Sequence, residues 1–164
     1  MTSPASRFEP SNMPASAFQE TLNAWPTFSA QGIEIVEFEE DWSTVTVRLD
    51  LNEQNGNYYG TAFGGSLFSM IDPFLVILLS RQLGSEYAVW DKRVEIDFKR
   101  PGTGPVVATV EMPHDLVAQI RAAAEQGAPQ LHWFEVPLLL EADGTVVAVQ
   151  RRELYVRRLK PSAR

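Results

Sequence analysis

Residues 57–83 read NYYGTAFGGSLFSMIDPFLVILLSRQL, and the rest of the chain has to be arranged around them. A polar loop of Asn, Tyr and Gly gives way at Gly64 to a segment that is apolar on nearly every side as far as Leu83, with Gly84 placed as its C-cap. Wound as one helix, Gly64–Leu83 would be about 30 Å long, the width of a small domain. Asp72 sits near its middle, where a carboxylate is expensive in lipid, so the stretch reads as a buried core helix and not as a membrane span. Pro73 disfavours helical geometry at Asp72 and removes an N–H, which predicts a kink that exposes the carboxylate.

Upstream, Ser16 and Gln19 have capping-box spacing, and Phe18, Leu22 and Trp25 share one face, so a short amphipathic helix should end before Pro26. Ile33–Phe38 and Thr44–Leu51 read as a hairpin, with Val45, Val47 and Leu49 alternating and Glu39–Asp41 as a solvated turn. Downstream, Val94, Ile96 and Phe98 alternate with charges, and the turn Pro101–Gly104 leads into a second strand, Val106–Met112. Asp115–Gln126 reads as a short surface helix, and Asp143-Gly144 closes a terminal hairpin of Leu131–Leu140 and Val146–Arg158. Pro137 must then sit where no ladder N–H is needed. Without βαβ alternation this order predicts an α+β fold, with about six antiparallel strands wrapped around the long helix.

The 164 residues suit one domain, expected over 16–160 between a leader, 1–15, and a tail, 161–164. The net charge of −7, from 14 basic and 21 acidic residues, argues against a nucleic-acid partner. Residues 151–164 nevertheless hold six of the basic residues, and the alternation of the last strand would project its arginines at the sheet surface. Having no cysteine excludes disulfides and thiolate metal sites, and His114 and His132 lie apart from any carboxylate cluster, so no metal is expected. The first sixteen residues lack the order of a secretory signal, which makes the cytoplasm the expected compartment.

Candidate chemistry gathers in 57–73. Gly64-Gly65 either lets the helix pack closely or presents first-turn amides to an anion or a polarised carbonyl oxygen. Asp72, on an apolar helix, has to be paired, protonated or working. Asp91-Lys92 reads as a surface ion pair with Asp91 a secondary site candidate, and Lys99 and Arg100 flank Pro101 where they could meet phosphates. Tyr58, Tyr59, Trp90, Phe68, Phe74 and Leu75 read as core residues, some of them lining an apolar pocket.

The order Asn57, Gly60, Gly64-Gly65, then Asp72 seven residues beyond the second glycine of the pair, followed by the strand VEIDFKRPG at 94–102, resembles the hotdog-fold acyl-CoA thioesterases of the phenylacetate-pathway and THEM type. A bacterial branch known as a domain of unknown function is particularly similar. The resemblance spans residues 30–158 and implies the hotdog fold. It also implies a thioester carbonyl held by the amide of Gly64 or Gly65, Asp72 as base or nucleophile, and Asn57 orienting the attacking group. Coenzyme A would be part of the substrate and there would be no separate cofactor. Lys99 and Arg100, with the terminal strand, would supply a basic patch for it. A homodimer or dimer of dimers is implied, its site at the subunit interface. The family histidine before the glycine pair is Phe63 here, which can orient nothing by hydrogen bonding and favours the alternative of a domain that binds acyl-CoA or a lipid-like ligand without turnover. A hotdog dehydratase would need a histidine beside the acid, and none is at hand.

Overall fold

A computed structural model describes residues 13–160. Two helices open the fold, α1 (Ala15–Asn23) and α2 (Pro26–Ser29), and lead into the hairpin β1 (Ile33–Phe38) and β2 (Thr44–Leu49). The central segment follows as α3 (Gly64–Ser69) and α4 (Phe74–Leu83). Then come β3 (Tyr87–Phe98), β4 (Val106–Glu111), α5 (His114–Glu125), β5 (Gln130–Leu140) and β6 (Val146–Arg158). The strands form one antiparallel sheet in the order β1-β2-β4-β5-β6-β3.

The sheet curls around α4 because the helix is apolar where it meets the strands. Phe74, Leu75, Leu78, Leu79 and Leu83 are buried, and they share a core with Val45, Val47 and Leu49 of β2 and with Ala148, Leu154 and Val156 of β6. Each large aliphatic side chain so buried contributes about 1.5–3 kcal/mol. Gly84 ends α4 at φ +88°, as its place after Leu83 requires. Pro137 pairs with Val149 of β6, while β4 reaches β5 only at Leu139 and Leu140, so the missing N–H falls beyond the β4 ladder.

The central segment runs over Gly64–Leu83 as expected and is kinked at Met70–Pro73, where Pro73 cannot donate to the ladder, so that it divides into α3 and α4. Several sequence expectations are corrected. The first helix starts at Ala15, and no Ser16–Gln19 capping box forms. Instead Glu40 reaches across from the β1–β2 turn to accept the amides of Ala15 and Ser16, both at 3.0 Å, and Gln19 donates to the Ile35 carbonyl at 2.9 Å. The acidic turn therefore caps a helix distant in sequence. The third strand begins at Tyr87, seven residues before Val94, hidden from the alternation by a bulge between Asp91 and Arg93. Tyr58 and Tyr59 are almost fully exposed and Trp90, stacked on Tyr155 at 4.2 Å, is partly so; none of the three is core, whereas Phe74 and Leu75 are. Residues 1–12 of the expected leader and the tail 161–164 lie outside the described residues.

The same acidic turn makes a pH-dependent contact. Asp41 receives hydrogen bonds from Ser43 and from His114 Nε2, the latter at 2.9 Å, and these hold its carboxyl down from 3.8 to about 2. A group depressed in the folded state stabilises above its unfolded value, and that contribution is lost as the pH falls from about 4 through about 2. His114→Ala should therefore be less stable than the parent above about pH 4 and should lose less stability than the parent as the pH falls from about 4 to about 2, as read from the unfolding midpoint at each pH.

Candidate functional site

The turn that splits the central segment delivers Asp72 to the sheet. Asp72 is half-exposed, as the kink predicts, and its Oδ1 accepts from Arg152 Nη2 at 2.7 Å. Oδ2 has no hydrogen-bond partner among the described residues. Arg152 is only 1% exposed. Its Nε and Nη2 donate to the two oxygens of Asp91 at 3.1 and 2.8 Å, and its Nη1 donates to Gln150 Oε1 at 3.1 Å. Gln150 in turn donates to the carbonyls of Leu67 and Phe68 at the end of α3, at 2.9 and 3.0 Å, and the Phe68 ring lies 5.6 Å from the guanidinium. Burial works against the charge of Arg152, but the hydrogen bonds and charges of Asp91 and Asp72 outweigh it and hold the guanidinium more basic than usual.

Two expectations are overturned here. Arg152 does not project at the sheet surface: the even positions of β6, Ala148, Gln150, Arg152 and Leu154, face the core. Asp91 forms its ion pair inside the fold, three-quarters buried, and not at the surface. From Val94, Ile96 and Phe98, simple alternation would send Asp91 to the outer face. The bulge restores it to the inner one, opposite Leu154. The one available signal was the charged run Asp91-Lys92-Arg93 interrupting a strand.

The other candidates assemble elsewhere. Asn57, Gly64, Lys99, Arg100 and Gly102 line a groove of about 400 Å³ at the start of α3. Asn57 is engaged with its own loop: Oδ1 accepts from the amides of Tyr59 and Thr61, and Nδ2 donates to Thr61 Oγ1 at 2.8 Å. Gly60, at φ +74°, completes that turn. Lys99 pairs with Asp97, and the amides of Lys99 and Arg100 both donate to the Val147 carbonyl. Arg157, Arg158 and Lys160 do not join this basic patch, since ten residues of extended strand put Arg157 about 33 Å from Val147.

Aromatic neighbours crowd both glycines. A Cβ on Gly64 would lie 3.0 Å from the Phe98 ring, and one on Gly65 would lie 2.4 Å from the Phe63 ring, which is itself half-exposed over the first turn. As first-turn residues, Gly64 and Gly65 have amides with no acceptor inside the helix. Gly64 opens α3, and Asp72 lies eight residues on, in the turn beyond the end of that helix. A mainly apolar groove of about 290 Å³ runs between α1 and α4, lined by Leu22, Trp25, Val76, Ile77 and Pro73, the residue that follows Asp72. His114 bonds Gln82 and Asp41 away from the site. His132 shares a row of the sheet with Asp91, Leu154 between them, about 9–10 Å apart.

Sheet order and central helix define a hotdog fold. The model of the domain-of-unknown-function family DUF4442 matches residues 15–156, and the chain belongs to that family. Among solved structures, PA5026 of Pseudomonas aeruginosa, described as a probable thioesterase, superposes with a TM-score of 0.76 at 19% identity, covering 89% of this chain and 97% of its own. Thioesterase HI1161 of Haemophilus influenzae gives 0.65 at 15% identity over 93% and 96%. The PaaI protein of the E. coli phenylacetic acid degradation operon gives 0.59 at 22% over 86% and 89%. No curated protein matches the sequence.

Removing Arg152 alone would leave Asp91 without its counter-ion in a partly buried position. Because Asp72 and Asp91 both retain solvent access, Arg152→Met should cost about 3 kcal/mol, the lower end for a broken buried pair, measured by urea unfolding.

Proposed function

We propose that the protein hydrolyses acyl-CoA thioesters, with Asp72 as the carboxylate that activates water. The observation that carries this reading is the state of Asp72: one oxygen fixed on a buried arginine, the other partnerless on a half-exposed side chain. The structural neighbours described as thioesterases support it at the level of fold. The thioester carbonyl oxygen is held by the first-turn amides at Gly64 and Gly65, which develop full value as charge accumulates on it. Asp72 Oδ2 takes a proton from water, the water oxygen adds to the thioester carbon, and the C–S bond breaks as the sulfur leaves and is protonated to the thiol. A carboxylic acid and coenzyme A result.

Gly64 and Asp72 stand at opposite ends of α3, and in this reading the amide comes from one chain and the acid from another. In this reading a second copy adds along β3, the end strand of the sheet, whose outer edge has no strand partner among the described residues. Lys99 and Arg100 meet the phosphates of coenzyme A, and Asn57 sets the loop that leads into Phe63 and Gly64. The acyl chain lies along the apolar groove that begins at Pro73, next to the reacting carboxylate. A non-catalytic acyl-CoA binder is the second reading, favoured by Phe63 in the place of the family histidine; saturable binding of acyl-CoA without release of thiol would select it.

Thiol release from a panel of acyl-CoAs of increasing length tests the first reading. The parent should hydrolyse at least one, and Asp72→Ala should lose about 100-fold or more of kcat. Equal turnover by both proteins would refute the role of Asp72. Ile77→Trp, which fills the groove, should move the preferred acyl chain to a shorter one.

A further inference from the structure

Resting on the reading of Asp72 as the reacting carboxylate, we infer that Arg152 is a positioning residue: it pins Asp72 by Oδ1 and leaves Oδ2 as the reacting oxygen, while Asp91 serves to hold Arg152. The geometry separates the two acids. Asp91 has both oxygens on one guanidinium, at 3.1 and 2.8 Å, and is three-quarters buried, so it has no undonated oxygen of the kind Asp72 offers. Asp72 shares only the Nη2 corner of that guanidinium, through one oxygen.

The guanidinium is in turn held on all three nitrogens. Its third nitrogen is on Gln150, whose own amide is anchored to the last carbonyls of α3, and the Phe68 ring covers it. The order of these contacts runs from the end of α3 through Gln150 to Arg152 and back to Asp72 on the turn that follows α3. The segment that places Asp72 and the side chain that orients it are thereby one closed structure. A planar donor fork is needed to serve Asp91 and Asp72 at once, and lysine, with a single ammonium, cannot reproduce it.

A structural role and a positioning role part company in the double variant Arg152→Met with Asp91→Leu. Replacing a buried ion pair with apolar groups of similar size commonly preserves folding, and Asp72 itself is untouched. Thermal midpoint, kcat and KM for acyl-CoA hydrolysis are measured on the parent, this double variant, Asp91→Asn and Asp72→Ala. The proposal expects the double variant to melt near the parent and to keep its KM, with kcat about 100-fold lower, the loss that about 1 Å of misplacement brings. Asp91→Asn, isosteric and with one acceptor for Arg152, should lower kcat by at least about 10-fold at unchanged KM, and it decides the matter should the double variant not fold. Parental kcat in a folded double variant or in Asp91→Asn, with Asp72→Ala inactive, overturns the role of Arg152 and leaves the thioesterase reading standing. Full activity in Asp72→Ala overturns both.

Discussion

A guanidinium buried to 1% exposure has to be compensated on every side, and much of the local structure around Arg152 follows from that constraint. Two carboxylates and one amide oxygen surround its nitrogens. To supply them, β3 bulges between Asp91 and Arg93 and the central helix breaks at Met70–Pro73. These irregularities would each be a defect in an idealised sheet or helix. Together they bring Asp72 and Asp91, nineteen residues apart in sequence, onto one cation.

The apolar framework was legible in the sequence because it follows from periodicity. The alternation of β2, the Asp143-Gly144 hairpin, the all-round apolarity of 64–83 and the kink at Pro73 each map onto an observed element. So does the exposure of Asp72. Contacts that depend on distant partners were not legible. A helix cap supplied by Glu40 carries no local motif, and the capping-box spacing of Ser16 and Gln19 was an equally good local fit to a contact that never forms. Arg152 was read as a surface arginine because strand alternation says which side chains share a face, not which face is the core. Asp91 was misplaced for a related reason: one extra residue in a bulge inverts the parity of everything before it. Tyr58 and Tyr59 show the converse error, since large aromatics in a Gly-rich loop need not be buried.

The substitution of Phe63 for a histidine now has a local physical setting. Its ring lies against Gly65 and occupies the space that a side chain there would take, as the Phe98 ring does at Gly64. Packing and function are compatible, because the same absence of side chains leaves two first-turn amides open to a ligand. What the site lacks is a neutral hydrogen-bonding ring beside them. In the proposed mechanism the amides and a single oriented carboxylate carry the reaction between two chains, which places a premium on how firmly Asp72 is held.

The geometry of a two-chain site is open to direct inspection. A crystal structure with an acyl-CoA analogue whose thioester sulfur is replaced by methylene would fix the carbonyl. Its oxygen should lie about 2.7–3.1 Å from a first-turn amide of α3 in one chain, with its carbon facing the unbound oxygen of Asp72 from the other. A ligand bound with its carbonyl remote from Asp72, or with acid and amide contributed by the same chain, would contradict it.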